Sequence, residues 1–239
     1  MSSTLFYALN IIQESRRYNQ WICSFIEPYL SGVVLDIGSG LGDIASLFIR
    51  PQVDEVILSD CDEGLVERLR ERKFSLQKYH VVVLDITQDE AALQFNKKRV
   101  DTITCVNVLE HIENDLAVLK RFRDMLGPGG RAVILVPAMA CLYGTLDSCH
   151  GHLRRYNKEA LKVKMQLAGF DIEYSRYMNF FGVFTWFLAG RVLKQKKFSV
   201  KTCYQLDKIV PLLRWLEQWF SPPWGQSLVM VGRITIADR

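Results

Sequence analysis

The 239-residue sequence predicts an α/β fold: a doubly wound, mostly parallel sheet with helices on both faces. Three observations predict it. Through residue 137, short β-branched runs alternate with longer segments of helical period. A glycine cluster, "DIGSGLGD", follows the first of these runs. The pattern ends in late runs, "FDIEYSRYM" (170–178) and "SLVMVGRIT" (227–235), instead of a further strand–helix unit, which suits antiparallel additions to the sheet.

Taken in order, residues 1–30 read as helical with a mixed aromatic face. The runs "VVLDI" (33–37), "EVILS" (55–59), "YHVVVLD" (79–85), "VDTITCVNV" (100–108) and "RAVILVP" (131–137) lack polar alternation, as strands buried on both faces do. Between them lie helical patterns at 41–50, 62–73, more weakly near 88–95, and in "IENDLAVLKRFRDML" (112–126). There Leu116, Leu119, Phe122, Met125 and Leu126 keep a helical period, and "GPGG" reads as a helix stop and tight turn. After 137 come a long polar loop (138–156), a helix (157–168), a strand, and two aromatic-rich helical segments near 181–195 and 203–220.

Charge divides the chain. Residues 1–150 carry 15 Lys+Arg against 20 Asp+Glu (15 − 20 = −5), and residues 151–239 carry 15 against 6 (15 − 6 = +9). The second part should favour anionic partners: a phosphate, a carboxylate or a lipid surface. None of the six cysteines forms a C-x-x-C pair, which points to a reduced, cytoplasmic protein. The opening residues lack the basic region of a signal peptide. The longest apolar stretch, 177–190, falls short of the roughly 20 residues of a membrane span.

The glycine loop is the strongest local signal. A buried strand delivers Asp36, then Gly38, Gly40 and Gly42 follow with a helix expected from Leu41. Glycines there let backbone amides approach a ligand. Asp60 stands at the end of the next strand, where a carboxylate accepts hydrogen bonds from a ribose diol. A nicotinamide dehydrogenase would show G-x-G-x-x-G, but Asp43 occupies the third glycine position. Asp36 would repel a pyrophosphate and suits a cationic ligand such as an ammonium or sulfonium.

With these residues in place, the sequence resembles class I S-adenosylmethionine-dependent methyltransferases. "VLDIGSGLG", "VILSD", "LDIT" (84–87), "VDTITCVNVLEHI" and "MLGPGGRAVILVPA" resemble five motifs of that family in order, over roughly 32–140. The resemblance implies a Rossmann-like sheet of seven strands, mostly parallel, with a reversed last strand. It implies one domain over 1–239: a helical lid (1–31), a cofactor-binding core (32–140), and an acceptor side with an aromatic helical cover (141–239). It implies S-adenosylmethionine as cofactor and S-adenosylhomocysteine as product. Asp36, Gly38, Ser39 and Gly40 would hold the methionine moiety. Asp60 would take the ribose, Cys61 would flank the adenine, Asp85 and Ile86 would contact its edge and face, and Asn107 and Val108 would line the pocket beside the sulfonium. Segments flanking the core resemble a bacterial subgroup linked to glycan or natural-product assembly. There the N-terminal helices form a lid, with Tyr18, Asn19 and Trp21 as candidates here and plain helix packing as the alternative.

Methyl transfer mainly needs acceptor and donor to be positioned, plus a base where the acceptor loses a proton. His111 follows the fourth strand, and His150 and His152 follow the fifth, all on the ligand-binding edge. His152 and His111 are the candidate bases, with neither preferred. Asp147 could orient a histidine or bind a basic acceptor. Tyr143 and Tyr156 could line the acceptor pocket, and Arg154 and Arg155 could clamp an anion or bridge to the acidic half. Asp147, Cys149, His150 and His152 could ligate metal, yet structural zinc takes two spaced pairs and no second half is evident, so no metal is expected.

Trp186, Trp215, Trp219 and Trp224 lie in the aromatic segments. They suit an acceptor cover, a homodimer interface, or peripheral contact of Arg191, Lys194, Lys196 and Lys197 with lipid phosphates. The cover is favoured, with core packing accounting for part of each run. The expected function is methylation of a small-molecule or lipid-linked acceptor, with amine methylation or a non-catalytic binding module as alternatives. Nucleic acid is disfavoured because "NVLE", not an N-P-P-Y type sequence, follows the fourth strand.

Overall fold

The computed structural model describes residues 15–93, 95, 100–197 and 199–235. The expected runs become β1 (Gly32–Ile37), β2 (Val53–Asp60), β3 (Tyr79–Val83), β4 (Val100–Val106), β5 (Leu126–Pro137), β6 (Asp171–Met178) and β7 (Ser227–Arg233). They form one seven-stranded sheet in the order β3-β2-β1-β4-β5-β7-β6. The first five strands pair in parallel, and β7 runs antiparallel to both β5 and β6. This is the Rossmann-like mostly parallel sheet with a reversed last strand. The order changes direction between β1 and β4, the place where an open α/β sheet parts to admit a ligand.

Around the sheet lie α1 (Arg16–Ile26), α2 (Glu63–Glu71), α3 (Glu90–Leu93), α4 (Asp115–Met125), α5 (Thr145–His150), α6 (Lys158–Leu167), α7 (Phe180–Trp186) and α8 (Val200–Gln218). Local chemistry fixes their starts. Asp62, Asn114, Asn157, Asn179 and Ser199 each accept a backbone N–H at the head of the helix that follows. The sheet buries both faces because its side chains alternate. Leu35, Ile57, Ile103 and Ile134 join Phe122, Leu161 and Phe170 on one side. Val34, Leu58, Val133 and Val229 meet Trp21, Ile22 and Ile26 on the other. Truncating a fully buried ring such as Phe122 to alanine would cost about 3–5 kcal/mol.

Four sequence expectations need correction. The helix expected from Leu41 is only a 3₁₀ turn, Ala45–Leu47. Gly42 sits at φ +77°, outside the right-handed region, and Pro51 closes the segment soon after. Strand β3 lies at the sheet edge and is only half-buried, not covered on both faces. "GPGG" does not separate helix from strand. Leu126 already pairs with Val100, residues 127–130 bulge, and pairing resumes at Arg131 opposite Thr102. The polar loop 138–156 contains a 3₁₀ turn (Ala140–Leu142) and α5. Of the expected N-terminal helix, residues 1–14 lie outside the described residues, as does part of the segment near 88–95.

Helix α8 is pinned at two points by buried carboxylates. Asp207 accepts the amides of Arg17 and Tyr18 at the head of α1, which lacks a side-chain cap of its own. Glu217 accepts the amides of Asn179 and Phe180 at the head of α7. Unpaired first-turn amides of two helices are thus satisfied by a third, locking the aromatic segment to the core. Among the described residues no helix is long and apolar enough to cross a membrane.

Candidate active site

Strands β1, β2, β4 and β5 end at one edge of the sheet, and the candidate residues gather there. Asp36 lies in β1 opposite Thr104 of β4. Its Oδ1 accepts the Thr104 hydroxyl at 2.5 Å and its Oδ2 the Ser39 hydroxyl at 2.7 Å. Burial pushes its carboxyl up to about 6, against those two hydrogen bonds and with a push from Asp60. The turn that follows is tied to β2: the Ser39 amide donates to the Ser59 carbonyl at 2.8 Å, and the Gly40 amide donates to Asp60 Oδ2 at 3.0 Å. Asp60 also accepts the Asp62 amide, and burial raises its pKa as well. Gly38 adopts φ +68°, and a Cβ there would lie 2.4 Å from Val108 Cγ2, so only glycine fits. Asn107, at φ 54°, turns the chain out of β4 and hangs its amide on the Leu135 carbonyl at 2.9 Å. Asp85 is partly buried. Burial works against its charge, but the Thr87 hydroxyl and amide, Gln88 and Arg121 outweigh it and hold its pKa below the usual value. Ile86 is buried beside it, and Cys61 is exposed.

The loop 138–156 is stitched to the end of β4. The Leu153 amide donates to the Glu110 carbonyl, and the Tyr156 hydroxyl reaches the Leu109 carbonyl. His111 Nδ1 lies 3.1 Å from the Gly151 carbonyl, and the rings of His111 and His152 meet edge to face at 4.9 Å. Desolvation and the neighbouring His152 and His150 pull the His111 pKa down to about 4, although the ring keeps an exposed edge. His152 Nδ1 lies 3.0 Å from Asp147 Oδ1. Asp147 is fully buried and accepts from four directions: His152, Arg155 Nε at 2.7 Å, Trp186 Nε1 at 3.1 Å and the Gly144 amide at 3.0 Å. Glu110 is also fully buried, and burial pushes its carboxyl up to about 8.

A family model described as "Methyltransferase domain" matches residues 13–175. The chain belongs to the class I methyltransferase family. Solved structures agree on the fold. An S-adenosylmethionine-dependent methyltransferase from Archaeoglobus fulgidus is 18% identical, with 90% of this chain and 94% of that one covered at TM-score 0.58. Another from Mesorhizobium loti is 13% identical, with 89% and 95% covered at TM-score 0.60. The [4+2]-cyclase SpnF is also similar, at 16% identity, 90% and 80% coverage and TM-score 0.60.

Within this methyltransferase fold, the structure brings together Asp36, Gly38, Ser39, Gly40 and Asp60 on one side, and His111, Asp147 and His152 on the other. Of the two roles expected for the arginines, both residues take the bridge to the acidic half and not the anion clamp. Arg155 is fully buried in its side chain, donates to Asp147 and the Ala138 carbonyl, and lies over the Trp186 ring. Arg154 spends its guanidinium on Asp115 and the Glu113 carbonyl. Tyr156 does not line a pocket; it is buried with its hydroxyl on Asp115, and burial raises its pKa. Trp21 is core, 1% exposed, the helix packing that stood as the alternative to a lid. Tyr18 is partly buried against Trp21, hydrogen-bonded to Ser227 and Asn179, and Asn19 is buried. Tyr143 supports the loop by donating to the His152 carbonyl.

Thr104, Glu110 and Asp115 were not among the residues the sequence singled out for the site, and Trp186 was expected in an acceptor cover, not as a hydrogen-bond donor to Asp147. Of the three, only Glu110 carried a signal, its place beside His111. The candidate linear metal cluster disperses: His150 Nδ1 bonds the Leu146 carbonyl, and among the described residues His152 alone of the four joins a group of three possible ligand atoms, with Glu110 and His111, while its Nδ1 keeps Asp147.

Proposed function

We propose that the protein uses S-adenosylmethionine to methylate a hydroxyl on a small-molecule or lipid-linked acceptor. The observation that carries the reading is the pair of buried carboxylates, Asp36 and Asp60, flanking a glycine turn at the β1–β4 parting. The residues fit the cofactor. The Gly38 turn presents backbone without a side chain at φ +68°, Asp36 offers negative charge to a cationic group, and Asp60 offers acceptor oxygens to a diol. When bound, the cofactor supplies an electrophilic methyl on a sulfonium.

The protein's own work is positioning and proton handling. Asp147 holds the His152 ring through Nδ1, leaving Nε2 to face Glu110 and His111. That cluster receives the acceptor hydroxyl and manages its proton. Exposed aromatics on α7 and α8 favour an acceptor with an apolar tail and peripheral contact with a lipid surface.

Isothermal titration with S-adenosylhomocysteine tests the cofactor reading. Wild type should bind, and Asp60→Ala should weaken binding by roughly 10–100-fold, the size of a lost charge-assisted hydrogen bond. No binding to wild type would refute it. A methyl-transfer screen over hydroxyl and amine acceptors then separates oxygen from nitrogen chemistry.

A further inference from the structure

Three donors converge, two adjacent in sequence and one about forty residues later. Glu110 and His111, on the 3₁₀ turn Leu109–His111 after β4, and His152, after α5, bring one carboxylate oxygen and two imidazole nitrogens within 4.8 Å of one another. Both imidazoles are already set as ligands. A carbonyl can only accept, so His111 Nδ1, 3.1 Å from the Gly151 carbonyl, carries the proton and leaves Nε2 its lone pair. His152 Nδ1 is likewise directed at Asp147 Oδ1 at 3.0 Å. Bonds of this kind orient metal-ligating histidines.

Glu110 supplies the independent observation. It is 0% exposed, and neither carboxylate oxygen has a hydrogen-bond partner among the described residues. A buried carboxyl in that state is costly, and it is satisfied either by holding a proton or by giving that proton up to a cation. The nearby guanidinium of Arg155 is committed at Nε and Nη1 to Asp147 and Ala138, although its Nη2 is also unpartnered. Glu110 Oε1 stands 3.9 Å from His152 Nε2. That is too long for a hydrogen bond, and tetrahedral donors each about 2.1 Å from one ion stand about 3.4 Å apart. Closing the cluster on an ion therefore requires side-chain shifts of about half an ångström for this pair and up to about 1.4 Å for the widest.

We infer that Glu110, His111 and His152 bind one divalent first-row transition ion, with coordination positions left open toward the acceptor. Two imidazoles and one carboxylate suit Zn²⁺, Fe²⁺ or Co²⁺ better than Mg²⁺ or Ca²⁺, which prefer oxygen sets. The inference rests on reading this cluster as the acceptor side and refines how the acceptor is activated. An oxygen bound to the ion gives its proton to solvent more readily, and the two imidazoles act as ligands instead of bases. Ala138, Asp147 and Gly151 then form the supporting layer that fixes Arg155 and the two rings.

The test uses chelator-stripped full-length protein, with and without S-adenosylhomocysteine, titrated with Co²⁺ and followed by visible absorption, then challenged with Zn²⁺. One Co²⁺ should bind per chain and be displaced by Zn²⁺. Glu110→Gln and His111→Ala should each weaken binding by about tenfold or more, and Cys149→Ser should leave it unchanged. His111 has an exposed edge, so His111→Ala keeps the test valid if the buried Glu110→Gln variant does not fold. Circular dichroism and S-adenosylhomocysteine affinity report the fold. Saturable binding absent below about 1 mM, or binding that both folded variants retain, would overturn the site and return Glu110 to a pairing with Arg155. Metal binding is read without turnover, so its failure is distinct from failure of wild type to bind S-adenosylhomocysteine, which would count against the methyltransferase reading.

Discussion

The glycine-turn edge and the loop 138–156 of this methyltransferase are built in opposite ways. At the edge, a turn is set by glycines and tied by short-range bonds: Ser39 to Asp36, Gly40 to Asp60, Asp62 to Asp60. Backbone amides do most of the holding. In the loop, side chains do it, and they come from far apart: Tyr156 to Leu109, Arg154 to Asp115, Trp186 to Asp147, His111 to Gly151. The first design puts recognition in local geometry. The second puts the placement of two histidines under the control of a buried charge network, so damage to it should reach stability before it reaches chemistry.

Arg155 is where that contrast breaks most visibly. Its guanidinium and the Asp147 carboxylate are both fully buried, 2.7 Å apart. Arg155→Leu would strand a carboxylate in the interior, and removing one partner of such a pair costs about 3–5 kcal/mol. Urea unfolding at pH 7.5 should show the midpoint shifted by that amount, with S-adenosylhomocysteine affinity of the remaining folded protein within a few-fold of wild type. Wild-type stability in Arg155→Leu would mean that the arginine is not the loop's internal tie, and an anion-binding role would regain its place.

The same contrast explains what the sequence could reveal. The glycine loop, Asp36 and Asp60 were legible because strand, turn and next strand end lie within 25 residues of chain, and each residue's task follows from its local position. The parallel strands and the reversed β7 were legible from apolar runs alone. The loop was half legible. The charge asymmetry offered a bridge from Arg154 and Arg155 to the acidic half as one of two roles, but which carboxylates would take them, and that Arg155 and Tyr156 point inward to Asp147 and Asp115, depends on long-range packing that no local pattern encodes. The helix expected from Leu41 was likewise misplaced, because the positive φ of Gly42 is a property of the folded turn that the residue type permits but does not dictate.

The next smaller effect sharpens the cofactor side. Asp36 titrates at about 6 in the folded protein, above the roughly 3.9 of an unfolded aspartate. The folded state therefore holds the proton more tightly. The stability this group contributes is full below about pH 4 and is lost as pH rises through 6. Binding of a cationic ligand needs the ionised form, so it runs the other way. Affinity for S-adenosylmethionine should rise about tenfold from pH 5 to pH 7 and then level off. Asp36→Asn should bind weakly at every pH, with that slope gone. Titrations in matched ionic strength check this, and a flat wild-type profile would place the ligand's charge away from Asp36.

The smallest effect concerns the far side of the acceptor loop. Trp219, Trp215 and Phe184 are 76%, 53% and 58% exposed, an unusual display for such large apolar side chains, and Arg191, Lys194, Lys196 and Lys197 are exposed in the same C-terminal part. Aromatic rings beside basic side chains match the boundary of an anionic bilayer. Flotation with vesicles containing phosphatidylserine should recover the protein at low salt and lose it as salt screens the lysines. The Trp215→Ser, Trp219→Ser double variant should partition a few-fold less, because several other exposed apolar groups remain, and its S-adenosylhomocysteine affinity should not change. The tryptophans touch neither Asp36 nor Asp147, so an altered cofactor affinity would couple regions that the hydrogen-bond networks keep apart. Failure to float, combined with concentration-dependent dimerisation that the double variant abolishes, would reassign the same rings to a contact between two copies of the chain.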